Sequence, residues 1–379
     1  MLGFGIIIPI LPFYVEKFGG GGTEMGYLMA IFSIMQFLFS PIWGSLSDRY
    51  GRKPIILVGI AGNAISMVLL GFANSLWMLY FSRGLAGILS SATLPTSMAF
   101  ISDSTSERER GGGMGIIGAA MGLGMVLGPG IGGFMGHYAL SAPFFFASAV
   151  SLLAMVLVWL FLPESLPAEK RDRTLRVHGP QFDKMIEALS SPIGFLLILA
   201  FLHNFALTNF EGIFSMYSIM RYGYNEATVG IVLTFVGLVS AIAQGLLTGP
   251  LTRRFGDARV IKASLFASIF GFALMLLATS LPTVILTSGF FVLSNSMLRP
   301  GVSSLISKRS PYPQGMAMGL NNSFMSLGRI IGPLWAGSVL DINVLYPFTT
   351  GATIMLIGFI ASLYFLRTDS VTQEAPSMD

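Results

Sequence analysis

Between Glu187 and Arg221 a single charged side chain, Glu211, stands in the run SPIGFLLILAFLHNFALTNFEGIFSMYSIM. A lone carboxylate among apolar residues can exchange a proton near neutral pH and attract a cation. Arg83 is equally isolated, the one charge between Lys53 and Asp103. Around Glu211 the sequence places Phe210, Phe214 and Tyr217, with Phe201 and Phe205 one and two turns further along. Aromatic faces beside an acid suit lipophilic cations, although such a stripe also serves plain packing. Gln36, Asn204, Asn209, Gln244, Asn295 and Asn322 add adaptable hydrogen-bonding groups. An ion pair of Glu211 with Arg83 or Arg329 is the competing structural reading. Arg299, Arg329 and His203 are read first as structural.

Other chemistries find no support. No Lys follows a Gly, so there is no phosphate-binding loop of the GK[ST] type, and Cys is absent. Neither a metal-ligand cluster nor a nucleophile with its base is evident, so catalysis, metal and cofactor are not expected. Gly113-x-Gly115-x-x-Gly118 has dinucleotide-fingerprint spacing, but it follows no strand and opens an apolar run.

The elements that must carry Glu211 and Arg83 are set by composition. Hydrophobic residues make up 53% of 379 residues, charged ones 11%, and mean hydropathy is +0.74, which describes a polytopic membrane protein. Near-chargeless runs of about 20 residues, enough to cross roughly 30 Å of hydrocarbon, lie near 24–45, 54–73, 75–98, 113–136 and 141–162. Others follow near 192–219, 226–248, 259–279, 281–305, 314–338 and 344–366. Residues 1–15 form a shorter run with no basic start or cleavage site of a signal peptide.

With the first run directed outward, one side collects Arg49, Arg52, Lys53, Arg108, Arg110, the cations of segment 163–191, Arg253, Arg254, Arg259, Lys262, Lys308, Arg309 and Arg367. Only Lys17 and Arg221 fall on the other side. The positive-inside rule then makes both termini cytoplasmic, and the basic excess reads as topology with anionic lipid neighbours, not as a nucleic-acid surface.

GMVLGPGIGG at 124–133 recurs as GRIIGPLWAG at 328–337, and the same offset of 204 pairs Gly111 with Gly315, Lys17 with Arg221 and Gly26 with Gly230. At 205, Leu46, Arg49 and Gly51 meet Leu251, Arg254 and Gly256. The expected fold is all-α: twelve transmembrane helices in two pseudo-symmetric six-helix halves, 1–162 and 192–366, joined by a cytoplasmic linker 163–191 and followed by a tail 367–379. By this offset about a dozen residues of the first helix are expected upstream of Met1.

These features resemble the major facilitator superfamily, more specifically its twelve-helix drug–proton antiporters, over essentially the whole chain. Gly44-Ser-Leu-Ser-Asp48-Arg49-Tyr-Gly51-Arg52-Lys53 matches the superfamily's motif between helices two and three. Gly124-xxx-Gly128-Pro129-xx-Gly132-Gly133 matches the antiporter motif of helix five, Arg83-xxx-Gly87 the helix-four motif, and FGIIIPILP at 4–12 the first helix of drug exporters. The resemblance implies proton-coupled efflux of hydrophobic, often cationic drugs through a cavity lined by helices one, four, seven and ten. Its expected site is Glu211 and Arg83, with Phe201, Phe205, Phe210, Phe214, Tyr217, Asn204, Asn209, Gln36 and Asn295 lining the cavity. Its partners would be a small-molecule substrate, protons and membrane lipids, with the chain a monomer in a bacterial cytoplasmic membrane. Where some such exporters carry a second carboxylate in helix ten, LSNSMLRP at 293–300 has none.

The motifs also have a physical reading. Gly44 and Gly51 permit close approach and a tight turn, Asp48 can pair with a cation or a helix N-terminus, and Arg52 and Lys53 can reach phosphates. Such charges would latch the cytoplasmic ends of two separating halves; the plain alternative is a short loop obeying the positive-inside rule. In the second half Arg253 replaces Asp48, so only one acidic latch is expected. The small residues of helix five permit a close seam, static or flexing, and Pro129 favours a bend. A transporter of one metabolite, sugar or glycolipid, and a membrane sensor or lipid-modifying enzyme, remain as alternatives.

Overall fold

Long apolar runs can satisfy their backbone inside a bilayer only as helices, and the computed structural model is helical throughout. It describes residues 2–106, 109–171 and 179–366; Arg108, Arg173, Arg176, Arg367 and the tail lie outside them. The helices are α1 (Leu2–Lys17), α2 (Gly22–Tyr50), α3 (Arg52–Gly71), α4 (Leu76–Ser90), α5 (Thr93–Ser104), α6 (Arg110–Tyr138) and α7 (Ala142–Phe161). A short α8 (Phe182–Leu189) precedes α9 (Gly194–Glu211), α10 (Phe214–Tyr222), α11 (Glu226–Ile242), α12 (Thr248–Phe255) and α13 (Asp257–Leu277). The last four are α14 (Leu281–Ser296), α15 (Leu298–Arg309), α16 (Gln314–Ile342) and α17 (Tyr346–Phe365). No strand occurs among the described residues.

Taken with their continuations, ten of these helices are long and apolar enough to cross a membrane. The expected span at 314–338 is a helix but not one of the ten, because Asn321, Asn322, Ser326 and Arg329 dilute α16. Trp77, Phe161, Leu277 and Tyr364 point outward, as lipid-facing side chains should.

Four spans are interrupted where the sequence reading had them continuous. α4 gives way to α5 at Ser91–Ala92, and α14 to α15 at Met297. Each break lies three or four residues before a proline, Pro95 and Pro300, whose missing N–H cannot close the preceding turn. α9 stops at Glu211 and α10 restarts at Phe214. A π-helical turn, Ala243–Leu247, joins α11 to α12.

The glycine motifs make the long contacts. α6 packs on α1 with one face and on α11 with the other, and α16 packs likewise on α9 and α2. A Cβ at Gly5 would stand 2.6 Å from the Gly124 carbonyl oxygen, and one at Gly230 2.7 Å from that of Pro129. In the second copy, a Cβ at Gly26 would stand 2.5 Å from the Pro333 carbonyl oxygen. Only glycine allows backbones this close. Toward the end that carries Lys17, the seam is completed by Asp341. Its carboxylate accepts the N–H groups of Gly22 and Thr23 at 2.7 and 2.8 Å, capping the start of α2 from α16.

At the opposite, basic end the same helices diverge. Gly112, Gly115, Gly118 and Gly122 of α6, and Gly315 and Gly319 of α16, have nothing within 4 Å of a Cβ position. The bundle is therefore sealed at one end and splayed at the other.

Candidate functional site

Glu211 is the last residue of α9, held there because Gly212 turns into a break before Phe214. The carboxylate is partly accessible, and among the described residues it has neither a hydrogen bond nor an ion pair. The structural pair with Arg83 or Arg329 is therefore not formed here. Arg83 is only 1% exposed and packs against α2. Its Nε is 3.4 Å from the Leu28 carbonyl oxygen, its Nη2 3.8 Å from Met29 Sδ, and its guanidinium lies 4.3 Å from the Phe32 ring centroid. Among the described residues no carboxylate pairs with it, and its charge is held by a carbonyl, a sulfur and a ring face. The expected sharing of one cavity by Arg83 and Glu211 is not made by contact.

The aromatic residues next to Glu211 are placed differently from the sequence expectation. Phe210, Phe214 and Tyr217 are fully buried, with Phe210 packed on Phe214 and Phe291 and Tyr217 on Phe348. They form the core between α9, α10, α14 and α17 and do not line a cavity. Burying three rings against neighbouring helices outweighs leaving them on an open wall. Asn209 is likewise internal, its amide donating to the Pro347 carbonyl at 2.9 Å. Asn204 is buried and donates to Ala200 one turn back. Asn295 is fully buried with neither amide atom hydrogen-bonded. Phe205 is buried beside the partly accessible Phe201, their centroids 5.9 Å apart. Gln36 is also partly accessible.

Of the two cations read first as structural, Arg299 is exposed, one residue into α15, and Arg329, among the described residues, bonds Ser326 of its own helix at 3.0 Å. Neither α14 nor α15 carries an acid.

The expected loop at 44–53 is helical up to Tyr50, and the turn is made by Gly51 alone, with φ +107°. Gly44 makes no close approach, since nothing lies within 4 Å of its Cβ position. Arg52 does not reach outward: its guanidinium bonds Asp48 at 2.5 Å, Asp103 at 2.8 Å and Ser47 at 2.7 Å. Lys53 Nζ donates to the Trp159 carbonyl at 2.8 Å, and Arg49 stacks over Tyr50. Glu164 accepts the N–H groups of Arg52 and Lys53, capping α3. All these bonds stay within residues 1–164. In this splayed state, among the described residues, none of these bonds crosses to the other half.

The sequence profile of the Major Facilitator Superfamily matches residues 1–225 and again 196–378. The chain is 34% identical over 361 residues to Multidrug resistance protein 2 of Bacillus subtilis (strain 168), covering 94% of this chain and 90% of that one. It is 29% identical over 364 residues to the Quinolone resistance protein NorA of Staphylococcus aureus (strain MRSA252), covering 96% and 92%. Among solved structures, the human organic anion transporter MFSD10 (TETRAN) superposes with a TM-score of 0.70 at 26% identity over 95% of each chain. The nucleoside transporter NupG does so with 0.75 at 16% identity over 97% and 96%, a likeness of fold alone. Sealed at one end and open at the other, this multi-pass membrane protein is a small-molecule transporter that belongs to the major facilitator superfamily.

Proposed function

We propose that the protein is a proton-coupled antiporter that exports hydrophobic, often cationic compounds across a bacterial cytoplasmic membrane by alternating access. The observation that carries this reading is Glu211, a carboxylate deep in the bundle, partly accessible and free of any partner among the described residues. An acid already locked in an ion pair could not alternate between a proton and a cation; a free one can. The names of the B. subtilis and S. aureus relatives support drugs as the cargo.

Residues 1–162 and 192–366 act as the two moving bodies, with 163–191 as linker and 367–379 as tail. By the positive-inside rule the splayed basic end and both termini face the cytoplasm, so the state described is open inward. The glycine seam of α2 with α16 and of α6 with α11 closes the outer end, with Asp341 as its polar fastener. Arg83, held on α2 without a counter-ion, would couple the state of Glu211 to the first body. Lipids surround a monomer in this reading.

Substrate-induced proton release tests it. Adding tetraphenylphosphonium to the detergent-purified protein in weak buffer should release protons from the wild type and not from Glu211→Gln. Equal release from both would return Glu211 to a structural role. A compound panel in proteoliposomes with an imposed pH gradient decides between broad export and a single metabolite.

A further inference from the structure

α3 and α13 correspond at the offset of 205, but they meet the next span differently. A Cβ at Gly59 of α3 would stand 2.9 Å from the Thr93 nitrogen, and one at Gly62 would overlap Leu89, so the first half closes this contact tightly. In the second half the same positions are Ser264 and Ala267, and Ser294 takes the place of Leu89. The added Cβ atoms keep α13 from approaching as closely, and the shorter serine does not refill the gap. The approach from α12 differs too. The offset passes from 204 at Gly26 and Gly230 to 205 at Leu46 and Leu251, so the second half holds one extra residue there, which the π-helical turn Ala243–Leu247 absorbs.

At this place lies a largely apolar cavity of about 410 Å³, lined by Leu251 and Phe255 of α12, Arg259, Ser264 and Ala267 of α13, and Met297 at the break between α14 and α15. Its size is that of a ligand site. Two of its polar groups lack partners. Ser264 is 2% exposed, and its hydroxyl has no hydrogen bond. Arg259, at the basic end, is exposed and forms no ion pair among the described residues, because the neighbouring Asp257 is engaged by Lys308 and Ser304. Arg254 stacks over the lining ring of Phe255 at 5.3 Å and brings a second cation to the same mouth. The first half has Pro54 where Arg259 stands. The cavity opens sideways: its wall residue Ala263 is exposed on the stripe of α13 that Phe266, Phe270, Leu274 and Leu277 continue, the face that meets lipid.

We propose that this cavity is a binding site for one anionic phospholipid, which lays an acyl chain between α12 and α13 and sets its phosphate on Arg259 and Arg254. An apolar slot open to the bilayer, with cations at its basic end, complements a ligand whose tail runs along the membrane normal and whose head is negative at that end. The guanidinium fork of an arginine matches phosphate oxygens. Ser264 lies five residues beyond Arg259, about 7.5 Å along the helix at 1.5 Å per residue. There the glycerol esters of a lipid held at Arg259 offer the acceptor that its hydroxyl lacks. A free anion would use the cations and leave the slot empty, and a lipophilic cation would be repelled at the mouth. The site is separate from Glu211 and independent of cargo and coupling; only its leaflet, the inner one, is taken from the positive-inside reading.

Native mass spectrometry of the delipidated full chain in detergent tests it, with three probes: dioleoyl phosphatidylglycerol, dioleoyl phosphatidylcholine, and glycerophosphoglycerol, which is the first head without its chains. The wild type should bind its first phosphatidylglycerol at least fivefold more tightly than its first phosphatidylcholine, and an excess of glycerophosphoglycerol should not displace it. Arg259→Gln should lower that preference at least threefold. Ala263→Trp, which fills the slot and leaves both arginines in place, should weaken the first phosphatidylglycerol at least threefold. Lys184→Gln, which removes an exposed cation of α8 away from the cavity, should change neither value. The proposal is overturned by a wild type without preference, by Arg259→Gln and Ala263→Trp that both bind as the wild type does, or by a Lys184→Gln effect equal to that of Arg259→Gln, which would mean diffuse surface charge. Displacement by glycerophosphoglycerol would make the site a phosphate site without a chain slot. A wild-type dimer that Ala263→Trp dissociates would give the groove to a second copy of the chain, and overturns the lipid as its occupant. Because the preference is read first on the wild type, misfolding of a variant cannot rescue the proposal.

Discussion

The same brace occurs in both halves with its signs reversed. In the first half, Gly51 turns the chain at φ +107°, and Arg52, opening α3, reaches Asp103 near the end of α5 at 2.8 Å. In the second, Gly256 turns at φ +82°, and Asp257, opening α13, reaches Lys308 near the end of α15 at 2.6 Å. Position 52 maps to 257 and 103 to 308 at the one offset of 205, as 48 maps to 253. Asp48, Arg52 and Asp103 thus correspond to Arg253, Asp257 and Lys308, every charge inverted. Within a half only attraction is needed to tie the start of one helix to the end of another, so either polarity serves. Between halves the sign decides. α2 packs on α16, and α11 on α6, at the sealed end. When the basic end closes, the last turn of α2 should approach the first turn of α16, and that of α12 the first turn of α6. A helix start favours an acid and disfavours a cation. Asp48 would be drawn to α16, whereas Arg253 would be repelled at α6, which itself begins with Arg110.

Removing the brace is expected to have the largest effect. Arg52 is 8% exposed between two acids that are 41% and 26% exposed. Arg52→Ala should cost ~2 kcal/mol or more, less than the ~3–5 kcal/mol of a fully buried pair because both acids keep some solvent. Lys308→Ala, which removes a cation that is 65% exposed, should cost well under ~1 kcal/mol. The triple variant Asp48→Arg/Arg52→Asp/Asp103→Lys copies the second-half polarity into the first. It should recover most of the stability lost in Arg52→Ala, read as the temperature at which half the protein stays monodisperse, and still fail to transport. Recovery of transport as well would mean that sign between the halves is irrelevant.

Asp48→Asn comes next. Its carboxylate is 41% exposed and shares Arg52 with Asp103, so stability should change by less than ~1 kcal/mol. The lost attraction to the start of α16 is worth about 0.3–1 kcal/mol at an exposed helix end and up to ~2 kcal/mol when partly buried. Transport in proteoliposomes should therefore fall several-fold to about tenfold, with tetraphenylphosphonium binding retained. An unchanged rate would leave the segment a plain turn.

What the sequence revealed and what it hid follow different physics. The helices and the repeat were legible because bilayer-length apolar runs have few alternatives, and because paired glycines and a Gly-Pro step recur at a fixed spacing. The breaks in α4–α5 and α14–α15 had a signal too, since Pro95 and Pro300 are themselves repeat partners at 205. That between α9 and α10 had only Gly212. The site was less legible. Phe210, Phe214 and Tyr217 adjoin Glu211 in sequence, but successive residues of a helix point in different directions: Phe210 faces α14, Tyr217 faces α17 and Phe214 packs on Phe210. Arg83 and Glu211 were expected to share a depth, but depth alone does not bring side chains together. Capping across more than a hundred residues, as of the Arg52 backbone N–H by Glu164, left no trace in composition.

The smallest expected effect is also the most specific to the inverted signs. Arg253 is exposed at the end of α12 and, among the described residues, has no ion pair, so replacing it should not disturb the second-half brace. Arg253→Asp would place a second acid where the last turn of α12 meets the first turn of α6 on closing. An acid there gains from the helix start, about 0.3–1 kcal/mol at an exposed helix end, hence a two- to fivefold shift of population toward closure of the basic end. Distance distributions between spin labels at Gly245 and Gly118, both in open space here, would report it as growth of the shorter distance. Because the new acid would also stand one turn before Asp257, Arg253→Asn serves as the control: it removes the repulsion without adding an acid and should shift the population less. An Arg253→Asp population identical to wild type would mean that α12 and α6 do not meet on closing, and that Asp48 acts alone by position, not by sign.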